Sequence, residues 1–219
     1  MLLAFRMATS QRRKRVEPRK TPAQSRSTAT VSAVLEAAAR ILERHGLEGY
    51  TTNAIAERAG VSIGSLYQYF PNKDAVTVAL IERESAVLLA EVAAIDAELP
   101  RTPAEAECEG ALRRMIGAAV AHQMRRPKLA RLLDFEEARL PIRPRIERVA
   151  DLVLALLVLI LSRGKVVPAP EVEVAGLDVL AIVRGMVDAA GEREETDAVE
   201  LERRVERAVF GYLGLRSQR

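Results

Sequence analysis

Residues 51–73, TTNAIAERAGVSIGSLYQYFPNK, carry the most information in this 219-residue chain. The pattern predicts two short helices joined by a tight turn. Thr51 or Thr52 is placed to cap the first, since a threonine hydroxyl accepts a bond from an unpaired first-turn amide. Ile55 and Ala59 share an inward face, and small Ala56 lies where the next helix must cross closely. Gly60 follows, where a left-handed backbone closes a helix with least strain. Ser62 caps the second helix, and Leu66 and Phe70 turn toward Ile55 and Ala59. Pro71 stops that helix, Asn72 caps the next, and Asp74 falls in its first turn. Ile63, Gly64, Ser65, Tyr67 and Gln68 are left facing outward. A helix-turn-helix whose second helix has a small, polar and aromatic outer face is built to enter the major groove of DNA.

Roles within the motif follow from residue chemistry. Gln68 and Tyr67 are the candidates for contacts to base edges, with Ser65 next, because glutamine can pair bidentately with adenine. Gly64 and Ser65 let the helix backbone approach the groove. Ile63 can meet a thymine methyl. Thr51, Thr52, Ser62, Tyr69 and Lys73 are candidates for the surrounding contacts, chiefly to phosphates, which set register. For Tyr69, packing beside Phe70 is nearly as good an explanation.

Upstream, Val31, Val34, Leu35, Ala38, Ile41 and Leu42 recur at helical spacing from Thr28 to His45, and Gly46 and Gly49 end that helix. With VSAVLEAAARILERHGLEGY followed by TTNAIAERAGVSIGSLYQYFPNKDAV, residues 28–85 resemble the N-terminal domain of the TetR family of transcriptional regulators. The stretch GVS-x-G-x-LY-x-YF-x-NK is long and specific. One departure is Ile63, where such proteins often carry a basic residue or proline. The resemblance implies an all-α protein: an N-terminal three-helix domain with the helix-turn-helix, then a larger helical domain for ligand binding and dimerisation. It implies a homodimer joined by its two C-terminal helices. It further implies a repressor released from a palindromic double-stranded operator when a small molecule shifts the helix opening at Lys73.

Charge is spread unevenly. Residues 1–27 carry eight basic side chains and one acid, Glu17, a net of +7; since the whole chain carries +3, the remainder carries −4. Rich in Ser, Thr, Pro and Arg without apolar period, this arm is expected to be disordered. It either touches nucleic acid or serves as a solubilising leader. A single cysteine, Cys108, excludes an internal disulfide and fits a reducing cytoplasm. No secretory signal is visible, and the apolar run LVLALLVLIL, 152–161, is too short to span a bilayer. A cytoplasmic protein with no membrane partner is expected.

Residues 28–73 are therefore assigned to the DNA-binding head and 74–219 to the second domain. Prolines and glycines divide the latter into helices over about 72–99, 103–126, 127–139, 144–163, 171–190 and 196–215. Candidate pocket residues are Leu112, Met115, Ile116, Ala119, His122, Leu133, Phe135, Leu156 and Ile160, which favours an apolar effector. His122 shares a face with Met115 and can donate a hydrogen bond to the effector. In the last two helices Leu180, Val183, Val187, Leu201, Val205, Ala208, Val209 and Tyr212 form stripes. These are assigned to a four-helix interface between two copies, with packing inside one copy as the alternative. Arg125, Arg126 and Lys128 are expected at a solvated corner, and Glu136 and Glu137 on a charged face.

Catalysis finds no support. Only His45 and His122 are present. No phosphate-binding glycine loop, metal-spaced Cys/His set or nucleophile elbow occurs. No metal and no cofactor is implied. The competing function is a ligand-carrying or protein-interaction module whose head no longer reads DNA, a reading that only Ile63 favours.

Overall fold

A computed structural model describes residues 25–140 and 143–215, and every regular element among them is helical. The expected arm lies outside them up to residue 24, whereas residues 25–27 already belong to α1. The helices are α1 (Ser25–His45), α2 (Thr52–Ala59), α3 (Ile63–Tyr69), α4 (Lys73–Glu98), α5 (Glu105–Arg125), α6 (Pro127–Arg139), α7 (Arg143–Arg163), α8 (Val172–Glu192) and α9 (Ala198–Leu213). A single 3₁₀ turn, Ala169–Glu171, leads into α8.

Two apolar cores organise the chain. The first joins Val34, Ala38 and Leu42 of α1, Ile55 and Ala56 of α2, Leu66 and Phe70 around α3, and Val76 and Leu80 of α4. Each large member removes about 1.5–3 kcal/mol worth of apolar surface from water. Tyr50 is also buried there. Thr77 donates to the Lys73 carbonyl at 3.1 Å, so its hydroxyl oxygen is free to accept from the Tyr50 phenol, also at 3.1 Å. This pins the loop after α1 onto the start of α4. Leu129, Leu133 and Leu140 of the α6 region complete this core. The head is thus packed directly on α6 rather than hung from α4 alone.

The second core is built from α4, α5, α7, α8 and α9, with Leu112, Ile116, Val120, Ile160, Leu161, Val205 and Phe210 at its centre. Cys108 is buried in it, and burial, then the nearby Glu107, pushes its thiol up. Arg113 closes α9 against α5, stacked 4.6 Å from the Phe210 ring and bonded to Glu206 at 3.0 Å.

Several expected interface residues are consumed by this core. Leu201, Val205 and Val209 have no exposed surface. Val187 is buried, and with Leu180 and Val183 it faces a cavity within the protomer. The reason is geometric: α8 and α9 pack on each other and both pack on α5, so these stripes are covered within one copy. Ala208 is half-buried and Tyr212 is exposed. On α8, Val174, Leu177, Ala181 and Gly185 are exposed along one side, and Val199, Gly211 and Tyr212 are exposed on α9.

Candidate nucleic-acid interface and effector cavity

The helix-turn-helix forms by local rules. Thr51 caps α2, its hydroxyl accepting from the Ala54 amide at 3.2 Å. Gly60 ends α2 in the left-handed region, with φ 68° and ψ 28°, where any side chain would add strain. Ser62 caps α3 by accepting from the Ser65 amide at 3.0 Å, and its hydroxyl pairs with that of Ser65 at 2.8 Å. Asn72 caps α4 by accepting from the Ala75 amide at 2.9 Å. Leu66 and Phe70 are fully buried, which turns the opposite side of α3 outward. Ala59 is only half-buried, and Ala56 takes the inward place expected for it.

The outward side holds Ile63, Gly64, Tyr67 and Gln68, all exposed, with Ser65 half-buried. A Cβ built on Gly64 would meet only the Ser62 hydroxyl, at 3.8 Å. Nothing inside the protomer requires glycine there. The Tyr67 phenol lies 3.2 Å from the Thr52 hydroxyl, tying the end of α3 to the start of α2. Thr51, Thr52 and Tyr67 therefore form one edge, at a helix N-terminus suited to an anion such as phosphate. Tyr69 is half-buried against the first core. Lys73 is half-buried, with its ammonium 5.4 Å from the centre of the Tyr50 ring.

Behind the head, a cavity of about 610 Å³ opens between α4, α5, α6, α7 and α8, within the range that holds small ligands. Leu112, Met115, Ile116, Ala119, His122 and Leu133 line it as expected. Phe135 does not: it is 61% exposed, on the other side of α6. Leu156 and Ile160 are buried in the second core, away from the cavity wall. In their place α4 supplies Leu88, Leu89 and Val92, and α8 supplies Val179, Leu180, Val183 and Val187. The double apolar stripe of α8 was the signal for this second role, since so wide an arc needs partners on more than one side.

The wall is not wholly apolar. His122 Nδ1 is buried without a hydrogen-bond partner; burial, then the charge of Arg125, lowers its pKa and favours the neutral ring. Asp134 and Glu137 also line the cavity. Asp134 keeps an open side, but protein crowds the rest of its carboxyl. This desolvation, aided by Asp188 and partly offset by Arg184, lifts it to about 6. Glu137 rises to about 7, through burial first and then the charge of Asp134. Glu137 is thus a wall residue. Glu136, expected with it on a charged face, is buried and ion-paired to Arg139.

Arginines seal the joint between head and body. Arg126, expected in solvent, is half-buried and holds Glu43 and Glu36 of α1. Arg139 reaches the buried Asp74 in the first turn of α4 at 2.8 Å. Arg125 pairs with Glu84 of α4. The basic run gives no hint of these partners, because all of them are distant in sequence. Among the described residues no cluster of His, Cys, Asp and Glu could hold a metal, and no helix is long and apolar enough to cross a membrane.

Comparison with known proteins agrees with this geometry. The profile for bacterial regulatory proteins of the tetR family matches residues 34–80, and a tetracyclin repressor-like C-terminal domain profile matches residues 109–213. The HTH-type transcriptional repressor KstR of Mycolicibacterium smegmatis is 41% identical over 51 residues, which are 23% of this chain and 25% of that protein. KstR of Mycobacterium tuberculosis is 39% identical over 51 residues, 23% of each chain. The match thus spans about a quarter of these relatives. A TetR transcription regulator from Haloarcula marismortui superposes with a TM-score of 0.70 at 17% identity, covering 85% of this chain and 97% of the other. The fatty acid degradation regulator FadR from Bacillus halodurans gives 0.67 at 20% identity, covering 86% and 97%. At such identities the structures speak for the fold. With both halves matched in order and a helix-turn-helix exposed at the head, the chain belongs to the TetR family of bacterial regulatory proteins.

Proposed function

We propose that this protein is a homodimeric transcriptional repressor that reads a palindromic operator with α3 and is released by a small molecule bound in the cavity behind the head. The supporting observation for DNA reading is the division of α3: Leu66 is buried, while Gly64, Tyr67 and Gln68 are exposed on the other side. Two copies place two such faces on successive major grooves, with half-sites about 34–36 Å apart. The open face of α8 and α9, with Leu177, Ala181, Gly185 and Tyr212, is the surface we assign to pairing of the copies. It replaces the stripes that the protomer buries.

Release is supported by α6, which has two jobs. Leu129 and Leu133 belong to the first core and also to the cavity wall. A ligand that favours one placement of α6 therefore favours one placement of the head. It can shift the equilibrium only by its difference in affinity between the two placements, and about 1.4 kcal/mol changes the ratio tenfold.

Fluorescence anisotropy with labelled DNA from upstream of the protein's own gene tests the DNA reading. The expected result is one fragment bound far more tightly than shuffled DNA, with affinity falling steeply as salt rises, because each phosphate contact releases counterions. Equal affinity for genuine and shuffled fragments overturns it.

A further inference from the structure

We propose that the effector is an amphiphilic cation, with an apolar body along α4, α5 and α8 and an ammonium-type group held between Asp134 and Glu137. This rests on reading the cavity as the effector site and goes beyond it by naming the ligand's charge. The apolar part of the wall is continuous from Leu88 and Val92 through Met115 and Ile116 to Leu180 and Val183. Asp134 and Glu137 share one side of α6 at the cavity, and neither is ion-paired or hydrogen-bonded to any described residue.

The other charges on the wall are mostly engaged, Glu82 among them. Glu84 is taken by Arg83 and Arg125. Arg126 is taken by Glu43 and Glu36. Arg184 lies 3.5 Å from Asp188. Arg148 also lines the wall without an ion-pair partner among the described residues, and it is not among the charges that act on Asp134 or Glu137. Two unsatisfied acids at one place thus outweigh one arginine elsewhere. Asp134 is exposed and Glu137 half-buried, so a cation seated between them relieves their mutual repulsion and the partial desolvation of Glu137.

One further group indicates that the cavity is made for a ligand with polar atoms. His122 lines the wall, and its Nδ1 is buried with no partner. Buried polar groups are normally satisfied, so this one is available to the polar end of a ligand.

The test uses the full-length protein and three probes with the same ten-carbon chain: decyltrimethylammonium, decanol and decanoate, each below its micelle threshold. Binding is followed by calorimetry. Decyltrimethylammonium is expected to bind about tenfold or more tightly than decanol through its charge alone, with decanoate weakest. In the Asp134→Asn/Glu137→Gln variant the ammonium preference disappears while decanol binds as before, which also shows that the variant is folded. Decanoate binding as tightly as the ammonium overturns the proposal, as does an ammonium preference that survives the double substitution. If none of the three binds, the effector role of the cavity falls with it; if decanol binds without any ammonium preference, only the charge assignment falls.

Discussion

Arg126 grips Glu43 with two parallel bonds, Nε to Oε1 at 2.7 Å and Nη2 to Oε2 at 2.6 Å. The pair links the corner between α5 and α6 to α1, across 83 residues of sequence. Two-pronged arginine–carboxylate pairs are the strongest and most directional of ion pairs. Neither side chain is more than about a third exposed, so solvent screens this pair less than a surface one. Arg126→Gln should lower unfolding stability by about 1–2 kcal/mol. Denaturant titration measures the loss, and a double-mutant cycle with Glu43→Gln isolates the pair. A coupling of zero shows that the bridge does not help to hold the head.

Gln68 has no packing reason to be where it is, being exposed at the end of α3. Gln68→Ala should leave the melting temperature almost unchanged. It should cost about 1–3 kcal/mol in operator binding and relax preference at one base pair. A panel of operators substituted one position at a time checks this. Equal weakening on every sequence assigns Gln68 to the phosphate backbone instead.

Gly64 offers the opposite signature. Alanine favours a helix over glycine by up to about 1 kcal/mol, and the added methyl finds open space within the protomer. Gly64→Ala should therefore hold or raise thermal stability while reducing operator affinity, because the methyl enters the gap needed for close approach of the duplex. Calorimetric melting and anisotropy on the same sample separate the two effects. Full affinity in the variant means that the α3 backbone stays clear of the groove.

The cavity acids predict a pH dependence. The Asp134 carboxyl rises from 3.8 to about 6 and that of Glu137 from 4.5 to about 7 on folding. An acid with a raised folded pKa binds protons better folded than unfolded, so protonation favours the fold. Their destabilising effect is therefore complete only above about pH 8 and fades as the pH falls toward 4. Arg184 and Asp188, the charges that face them, act on both in opposite directions. Asp134→Asn/Glu137→Gln should melt above the wild type at pH 8, with the gap narrowing steadily as the pH falls and closing only near pH 4. A gap independent of pH shows that the two acids titrate as they do in the unfolded chain.

Much of the fold was legible because its signals are local. Threonine, serine and asparagine caps, the Gly60 turn and the prolines opening α6 and following α3 each act within a few residues of themselves. They placed the helices with small errors at the ends. The outward set on α3 was legible for the same reason, since burying Leu66 and Phe70 determines what faces away. The cavity was half legible. Periodicity picks out Leu112, Met115 and Ile116 as one stripe but cannot say which neighbour that stripe meets. Phe135 failed because α6 turns its apolar side to two different places and leaves Phe135 on neither. Arg126, Glu136 and Glu137 were misjudged as solvated because what covers or holds them, α1 for Arg126, the start of α4 for the Glu136–Arg139 pair and the cavity wall for Glu137, lies far away in sequence. The stripes of α8 and α9 look alike whether a second copy or the same copy covers them.

Leu129 and Leu133 make the floor under the head and the roof over the cavity the same side chains. Altered ligand preference in this lineage therefore cannot arise freely on that wall, since every change there is also a change in the seating of the DNA reader. Substitutions that reshape the chamber without disturbing the reader fall instead on the wall that α5, α7, α8 and the far half of α4 supply, where Leu88, Val92, Met115, Val153, Leu180 and Val183 answer to no second duty in the head.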